Sequence, residues 1–180
     1  MTAFDIGANI DFFSLLVAFG GRHWTVTAFE ADPEIVERLR ENVVRNQGAP
    51  ISIEATAVWS SSNPVFFARA HAEVSPDRGL GYVINNVSER SAPSTIRVEA
   101  VSVDEYVRKS GAPDLIKCDV EGAEVEVFRG ADKLLKERPP LILCEMHGEE
   151  NRQTLLKVFA DPGYRCEPCG KNHILAQHTK

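Results

Sequence analysis

No segment of this chain stays apolar for the ~18–20 residues that a membrane-spanning helix needs. The opening Met1-Thr2-Ala3-Phe4-Asp5-Ile6-Gly7 has neither the basic region nor the cleavage site of a secretory signal, so a cytoplasmic protein without a membrane partner is expected. Cysteine is scarce. Cys118, Cys144, Cys166 and Cys169 are all there are, and two of them lie in apolar runs where a reduced thiol behaves as a small hydrophobe, which argues against a disulfide framework. Positive charge is also short, with 20 Lys and Arg against 26 Asp and Glu and a formal net charge of -6. Such a surface has no broad cationic face to displace the counterions of a phosphate backbone, so non-specific nucleic-acid binding is not expected. A local cleft of opposite sign remains compatible with a specific RNA or nucleotide.

What is present is ordinary for a folded domain: 180 residues, 43% hydrophobic and 26% charged. One domain over 1–180 is expected, with no internal repeat and no linker. Short apolar or β-branched runs at Thr2–Ile6, Thr25–Glu30, Ile51–Val58, Ile96–Val101, Leu115–Val120 and Leu141–Met146 alternate with segments of helical period. The helices predicted are Phe12–Phe19, one from Asp32-Pro33-Glu34 with Ile35, Leu39 and Val43 on one face, Val103–Lys109, Ala123–Lys136 ended by Pro139-Pro140, and Asn151–Phe159. That alternation gives an α/β fold with a mostly parallel sheet. Tyr164–Glu167 and His173–Gln177 around Pro168-Cys169-Gly170 add an antiparallel hairpin at the C-terminal end. Residues 60–94 read as an excursion of loop and short strands, either a substrate-selecting element or a surface insertion.

The chemistry starts at Phe4-Asp5-Ile6-Gly7-Ala8-Asn9-Ile10, a strand running into a glycine turn and a helix, where backbone can approach a nucleotide-type ligand. Glu30 ends the next strand 23 residues after Gly7, placed to accept hydrogen bonds from both hydroxyls of a ribose. The turn is not G-x-G-x-x-G, so little points to a bound pyrophosphate, and a cofactor without phosphates, such as S-adenosylmethionine, fits better.

With these features the chain resembles the FkbM-type family of S-adenosylmethionine-dependent methyltransferases. The resemblance rests on DIGANIDFFS (Asp5 to Ser14), AFEADPEIVERLRENVVRN (Ala28 to Asn46), Ala57-Val58, PDLIKCDVEGAEVEVFRGA (Pro113 to Ala131) and PPLILCEMHG (Pro139 to Gly148), in family order over most of the chain. It implies a Rossmann-like class I methyltransferase fold with a mostly parallel seven-stranded sheet, and methyl transfer to oxygen of a sugar, polyketide or other small metabolite, with S-adenosylhomocysteine as product. By position, Asp5, Gly7 and Asn9 would form the cofactor turn, Glu30 would hold the ribose, Ala57 and Val58 would lie beside the adenine, and Asp119 would face the methionine end and the acceptor. Phe13 is kept in the cofactor set. Phe12, Phe13, Phe19, Phe66 and Phe67 otherwise read as core.

Two departures from the family pattern stand out. Asp11 replaces the usual third glycine, as a helix cap or a group near the sulfonium, or as one that crowds the cofactor's carboxylate. Met1 stands only a few residues before the first strand, where the superfamily usually has helices, so a minimal or truncated domain is expected.

For an oxygen nucleophile the protein must align the acceptor and remove a proton. Lys117, Asp119, Glu121, Glu145 and His147 sit at the carboxyl ends of the fourth and fifth strands. Lys117, Asp119, Glu145 and His147 form the candidate catalytic set, with Lys117 also readable as a structural partner of a carboxylate and Glu121 as a helix cap. Cys166-x-x-Cys169 with His173 and His178 lacks a second C-x-x-C, so no metal is expected. Two further readings remain: a methyltransferase acting on RNA or protein, which needs Arg69, Arg78, Arg90 and Arg97 to converge on the cleft, and a non-catalytic cofactor-binding or interaction domain. The acceptor and the oligomeric state, a homodimer included, stay open.

Overall fold

In chain order the elements are β1 (Thr2–Ile6), α1 (Phe12–Ala18), β2 (Thr25–Phe29), α2 (Pro33–Arg45), β3 (Ile51–Glu54), β4 (Ala57–Val58), β5 (Val65–Ala68), β6 (Tyr82–Val83), β7 (Thr95–Val98), β8 (Ala100–Val101), α3 (Val103–Ser110), β9 (Leu115–Cys118), α4 (Glu124–Arg129), α5 (Asp132–Glu137), β10 (Leu141–Glu145), α6 (Glu149–Ala160), β11 (Tyr164–Pro168) and β12 (His173–His178). The computed structural model describes residues 1–20, 23–69, 81–84 and 94–179, and structural statements refer to these. Arg78 and Arg90, and most of the 60–94 excursion, lie outside the described residues.

β1 and β2 are almost wholly buried, as strands covered by helices on both faces must be. They pair in parallel with Phe4 opposite Thr27, and β1 pairs on its other edge with β9, Phe4 opposite Ile116. The expected seven-stranded sheet forms in the order β11-β12-β10-β9-β1-β2-β3. It is parallel except for β12, which runs antiparallel to β10 and forms the C-terminal hairpin with β11. The chain steps from β1 to β2 and β3 on one side and resumes at β9 and β10 on the other. That reversal opens a crevice outside the carboxyl ends of β1 and β9, the usual place for a ligand in a doubly wound sheet. Asp32 caps α2 by accepting from Glu34 N at 2.9 Å, with Pro33 at the first helical position. No helix among the described residues is long and apolar enough to cross a membrane.

Three predicted elements break where the chain turns. The run Ile51–Val58 is two strands, because Thr56 N bonds Glu54 O two residues back at 2.9 Å and bends the chain off the main sheet. Its second half, β4, pairs in parallel with β8, and so the run Ile96–Val101 is likewise split, with β7 joining β5 and β6 in a small antiparallel sheet. Helix Ala123–Lys136 divides at Gly130-Ala131. The Asp104 carboxylate accepts from Lys133 N at 3.0 Å and Leu134 N at 2.9 Å, giving α5 an N-terminal cap from α3. Gly130 packs so closely on the chain that an added Cβ would stand 2.3 Å from Trp59 O.

Phe12 and Phe19 are not core: they are 79% and 58% exposed. The phase of α1 is set by Ser14, which is buried and donates to Asp5 Oδ2 at 2.7 Å. Two residues back along a helix is about 200° around it, so a buried Ser14 turns Phe12 outward.

Candidate active site

At the carboxyl end of β1 the chain turns at Gly7, in the left-handed region with φ +75°, and Gly7 N and Ala8 N both donate to Phe29 O at 3.0 Å. Glu30, at the end of β2, has its carboxylate fixed by three backbone donors: Asn9 N on Oε2 at 3.0 Å, and Ala31 N and Asp32 N on Oε1 at 2.8 and 2.9 Å. Burial pushes its pKa up while these N–H groups oppose the shift. A carboxylate has about four lone-pair sites, so the geometry leaves acceptor capacity for a ligand.

These groups border a cavity of about 630 Å³ that Gly7, Asn9, Glu30, Ala57, Val58 and Asp119 all line. Of the sequence candidates, Asp5, Phe13, Lys117, Glu145 and His147 do not line it. Asp5 is fully buried beneath the turn, and Phe13 sits half-buried on α1. Lys117 Nζ donates to Gly7 O at 2.8 Å and pairs with Asp5 Oδ1 at 3.1 Å, with Asp119 Oδ2 at 3.8 Å. Burial works against its charge, but Asp5 and Asp119 outweigh it and raise its pKa. Lys117 thus ties the turn to both neighbouring carboxylates.

Glu145 and His147 lie behind Glu121, which does line the cavity and is a non-glycine residue held at φ 46°. His147 Nε2 is 3.4 Å from Glu121 Oε2 and 4.0 Å from Glu145 Oε1, and Glu145 Oε2 is 3.4 Å from His173 Nε2. Asp119, Glu145 and His147 bring ligand-type atoms within 4.8 Å of one another, the described residues that meet in this way. Sequence reasoning passed over the group behind them: His147 Nδ1 lies 2.6 Å from Oε1 of Glu124, a fully buried carboxylate. Its signal was the charged residue at the end of Glu121-Gly122-Ala123-Glu124, too apolar a place for an unpaired acid. Ile35, Arg38 and Val83 also line the cavity without having been singled out for the site, and Phe67, read as core, both packs in a buried cluster and lines the cavity.

Asp11 does not crowd the cavity. It is fully buried, and neither carboxyl oxygen has a hydrogen-bond partner. Burial, and then the charge of Asp5, push its pKa up to about 7. Arg69 is engaged by Asp32 at 3.1 Å and Glu34 at 2.6 Å, and neither it nor exposed Arg97 lines the cavity. In the tail, Cys166 is half-buried, Cys169 is exposed and His178 Nε2 lies 2.8 Å from Pro162 O.

The chain as a whole is similar to known proteins. The methyltransferase FkbM domain model matches residues 5–166. The hexuronic acid methyltransferase AglP of Haloferax volcanii is 27% identical over 159 residues, which cover 87% of this chain and 60% of the relative. Among solved structures, the methyltransferase FkbM of Methylobacillus flagellatus superposes with a TM-score of 0.65 at 17% identity, over 97% of this chain and 42% of that one. The precorrin-6y C5,15-methyltransferase of Geobacter metallireducens superposes with a TM-score of 0.62 at 13% identity, over 99% and 80%. The chain thus spans 60% of the length of the AglP relative, and its Rossmann-like sheet is the class I methyltransferase fold. With the family model running from the end of β1 into β11, this chain belongs to the methyltransferase FkbM domain family.

Proposed function

We propose that this chain is an S-adenosylmethionine-dependent O-methyltransferase whose acceptor is a sugar, with a hexuronic acid the first class to try. The observation that carries the reading is one cavity with the Glu30 carboxylate at one end and Asp119 and Glu121 at the other. The residues fit the cofactor. At Gly7 an added Cβ would stand 1.9 Å from Asp119 O, so only glycine lets the turn pack on the end of β9 and the two line one cavity. Glu30 has capacity for ribose hydroxyls, and Ala57, Val58 and Ile35 give apolar surface for an adenine. S-adenosylmethionine, when bound, supplies a methyl group on a positively charged sulfur, so the donor arrives activated.

The chain's own tasks are alignment and proton removal. Lys117 holds the turn through Gly7 O, which fixes where Asn9 meets Glu30. Asp119 presents a carboxylate at the cavity wall, suited to orient an acceptor hydroxyl, and the apolar β4 and β5 side excludes water. The name of the AglP relative supports a sugar acid as acceptor.

Calorimetry with S-adenosylhomocysteine tests the cofactor half, and transfer of labelled methyl to glucuronides against neutral glucosides tests the acceptor half. A folded sample that does not bind S-adenosylhomocysteine would overturn the reading. Binding without transfer to any acceptor class would favour a non-catalytic cofactor-binding domain.

A further inference from the structure

Resting on that reading, we propose that His147 is the base that takes the acceptor's proton and that Glu124, clamped by Asn151, is the positioning residue that makes it one.

The argument begins with Glu124. Its side chain is 1% exposed, and each oxygen receives a donor: Gly122 N on Oε1 at 3.1 Å and Asn151 Nδ2 on Oε2 at 3.1 Å. Asn151 Nδ2 also donates to Gly122 O at 2.8 Å, so the amide ties α6 to the turn that carries the carboxylate. With both Glu124 oxygens already accepting, the ring nitrogen 2.6 Å from Oε1 is the one placed to donate. Neutral His147 is therefore the Nδ1–H tautomer, and the Nε2 lone pair is free.

That lone pair faces Glu121 Oε2 at 3.4 Å, one side chain behind the cavity wall that Asp119 and Glu121 form. Around Nε2 stand Glu121 from the turn after β9, Glu145 from β10 and Asp119 from the end of β9, while His173 of β12 holds the far oxygen of Glu145. Among the described residues, these carboxyl groups are what surrounds Nε2, and none is a backbone or amide donor that would occupy the basic nitrogen. Asp119 lines the cavity and brings a carboxyl oxygen within 4.8 Å of a His147 ring nitrogen, a span that one hydroxyl reaching in beside Asp119 can bridge. As its oxygen forms the new C–O bond and the S–C electron pair is left on sulfur, the O–H bond breaks and the proton forms an N–H bond on Nε2. The resulting imidazolium faces Glu124 and Glu121, and its side chain, 27% exposed, can return the proton to water. Burial opposes the charged ring, but Glu124, Glu121 and Asp119 prevail and raise its pKa. Lys117 is excluded from the role by its bonds to Gly7 O and Asp5.

The test needs no acceptor. Imidazole nitrogen NMR on protein carrying ¹⁵N-histidine, with the His147 signals assigned by their loss in His147→Gln, should show the Nδ1–H tautomer and a titration midpoint above the ordinary ~6.5. Glu124→Gln should lower that midpoint by about one pH unit and Glu124→Asp should restore part of it, with S-adenosylhomocysteine affinity unchanged. Should Glu124→Gln not fold, Asn151→Ala keeps both partners and should give a smaller shift in the same direction. An Nε2–H tautomer, or a midpoint that neither variant moves, overturns the dyad without touching cofactor binding, whereas absent S-adenosylhomocysteine binding overturns the methyltransferase reading itself. Selective broadening of His147 signals by micromolar Mn²⁺ overturns it differently, by making Asp119, Glu145 and His147 cation ligands. Once an acceptor is in hand, His147→Gln should lower kcat by ~100-fold or more with KM for the cofactor unchanged.

Discussion

A Cβ on Gly7 would stand 1.9 Å from the main-chain oxygen of Asp119, so the first turn of the sheet and the end of its fourth parallel strand meet as bare backbone. The neighbouring strands are in register here, Ile6 opposite Cys118, and Asp119 N donates to Ile6 O at 3.0 Å. The turn and the strand end that line the cavity side by side are thus one rigid unit.

Gly7→Ala follows from that contact. Alanine adds both the clash and a left-handed backbone at φ +75°, and the blocking atoms are main chain that cannot rotate away. The expected loss is at least ~2–3 kcal/mol in urea unfolding, with S-adenosylhomocysteine binding abolished. A variant that melts normally and binds the ligand would show that the turn is looser than these distances.

Glu30→Ala should separate binding from stability. Glu30 borders the cavity, so the three N–H groups it now satisfies gain access to water once the side chain is removed. Calorimetry should find S-adenosylhomocysteine weaker by about 1–3 kcal/mol with the melting temperature little changed. Unchanged affinity would remove the ribose role from this residue.

Asp11 predicts a pH dependence. Its carboxyl is pushed from 3.8 up to about 7, chiefly by burial and then by Asp5, so the folded protein keeps a proton that the unfolded chain has released. The stability this proton provides is full below about pH 4 and is lost as the pH rises through about 7. Asp11→Asn keeps a residue that tolerates the left-handed backbone and removes the charge. Compared by urea unfolding at pH 5 and pH 8, the native chain should lose roughly 2–4 kcal/mol more than the variant between them. Parallel curves for the two proteins would mean that Asp11 is ionised and finds a partner in solution.

The strands and the capped helix α2 were legible because they rest on local signals, β-branched runs and Asp32-Pro33, that need no distant partner. The break at Gly130 was not, since the carboxylate capping α5 is Asp104, 29 residues before the nearer amide it holds. The outward face of α1 was hidden for the same reason: aromatic residues pointed to the core, while a hydroxyl-to-carboxylate contact from Ser14 to Asp5 sets the helix phase. At the site, the turn at Gly7 and the carboxylate of Glu30 lie on adjacent strands and could be paired by spacing. Glu124 and His147 are 23 residues apart on separate elements, and only the closure of β9 on β10 brings them together.

Lys117 supplies the last prediction, because sequence position made it a candidate base while its bonds to Gly7 O and Asp5 suit a brace. Lys117→Met leaves Asp5 buried and without its cation, a situation that typically costs ~3–5 kcal/mol. Adding Asp5→Asn removes the stranded charge while leaving an amide for the Ser14 hydroxyl, so the double variant should recover most of the lost stability. The bond to Gly7 O stays missing in both, and S-adenosylhomocysteine should bind the double variant more weakly by about 0.5–1.5 kcal/mol. Urea unfolding and calorimetry on the single and double variants check the two halves separately. A double variant as unstable as Lys117→Met would mean that the lysine is held by its stem and its Gly7 contact, with the ion pair to Asp5 contributing little.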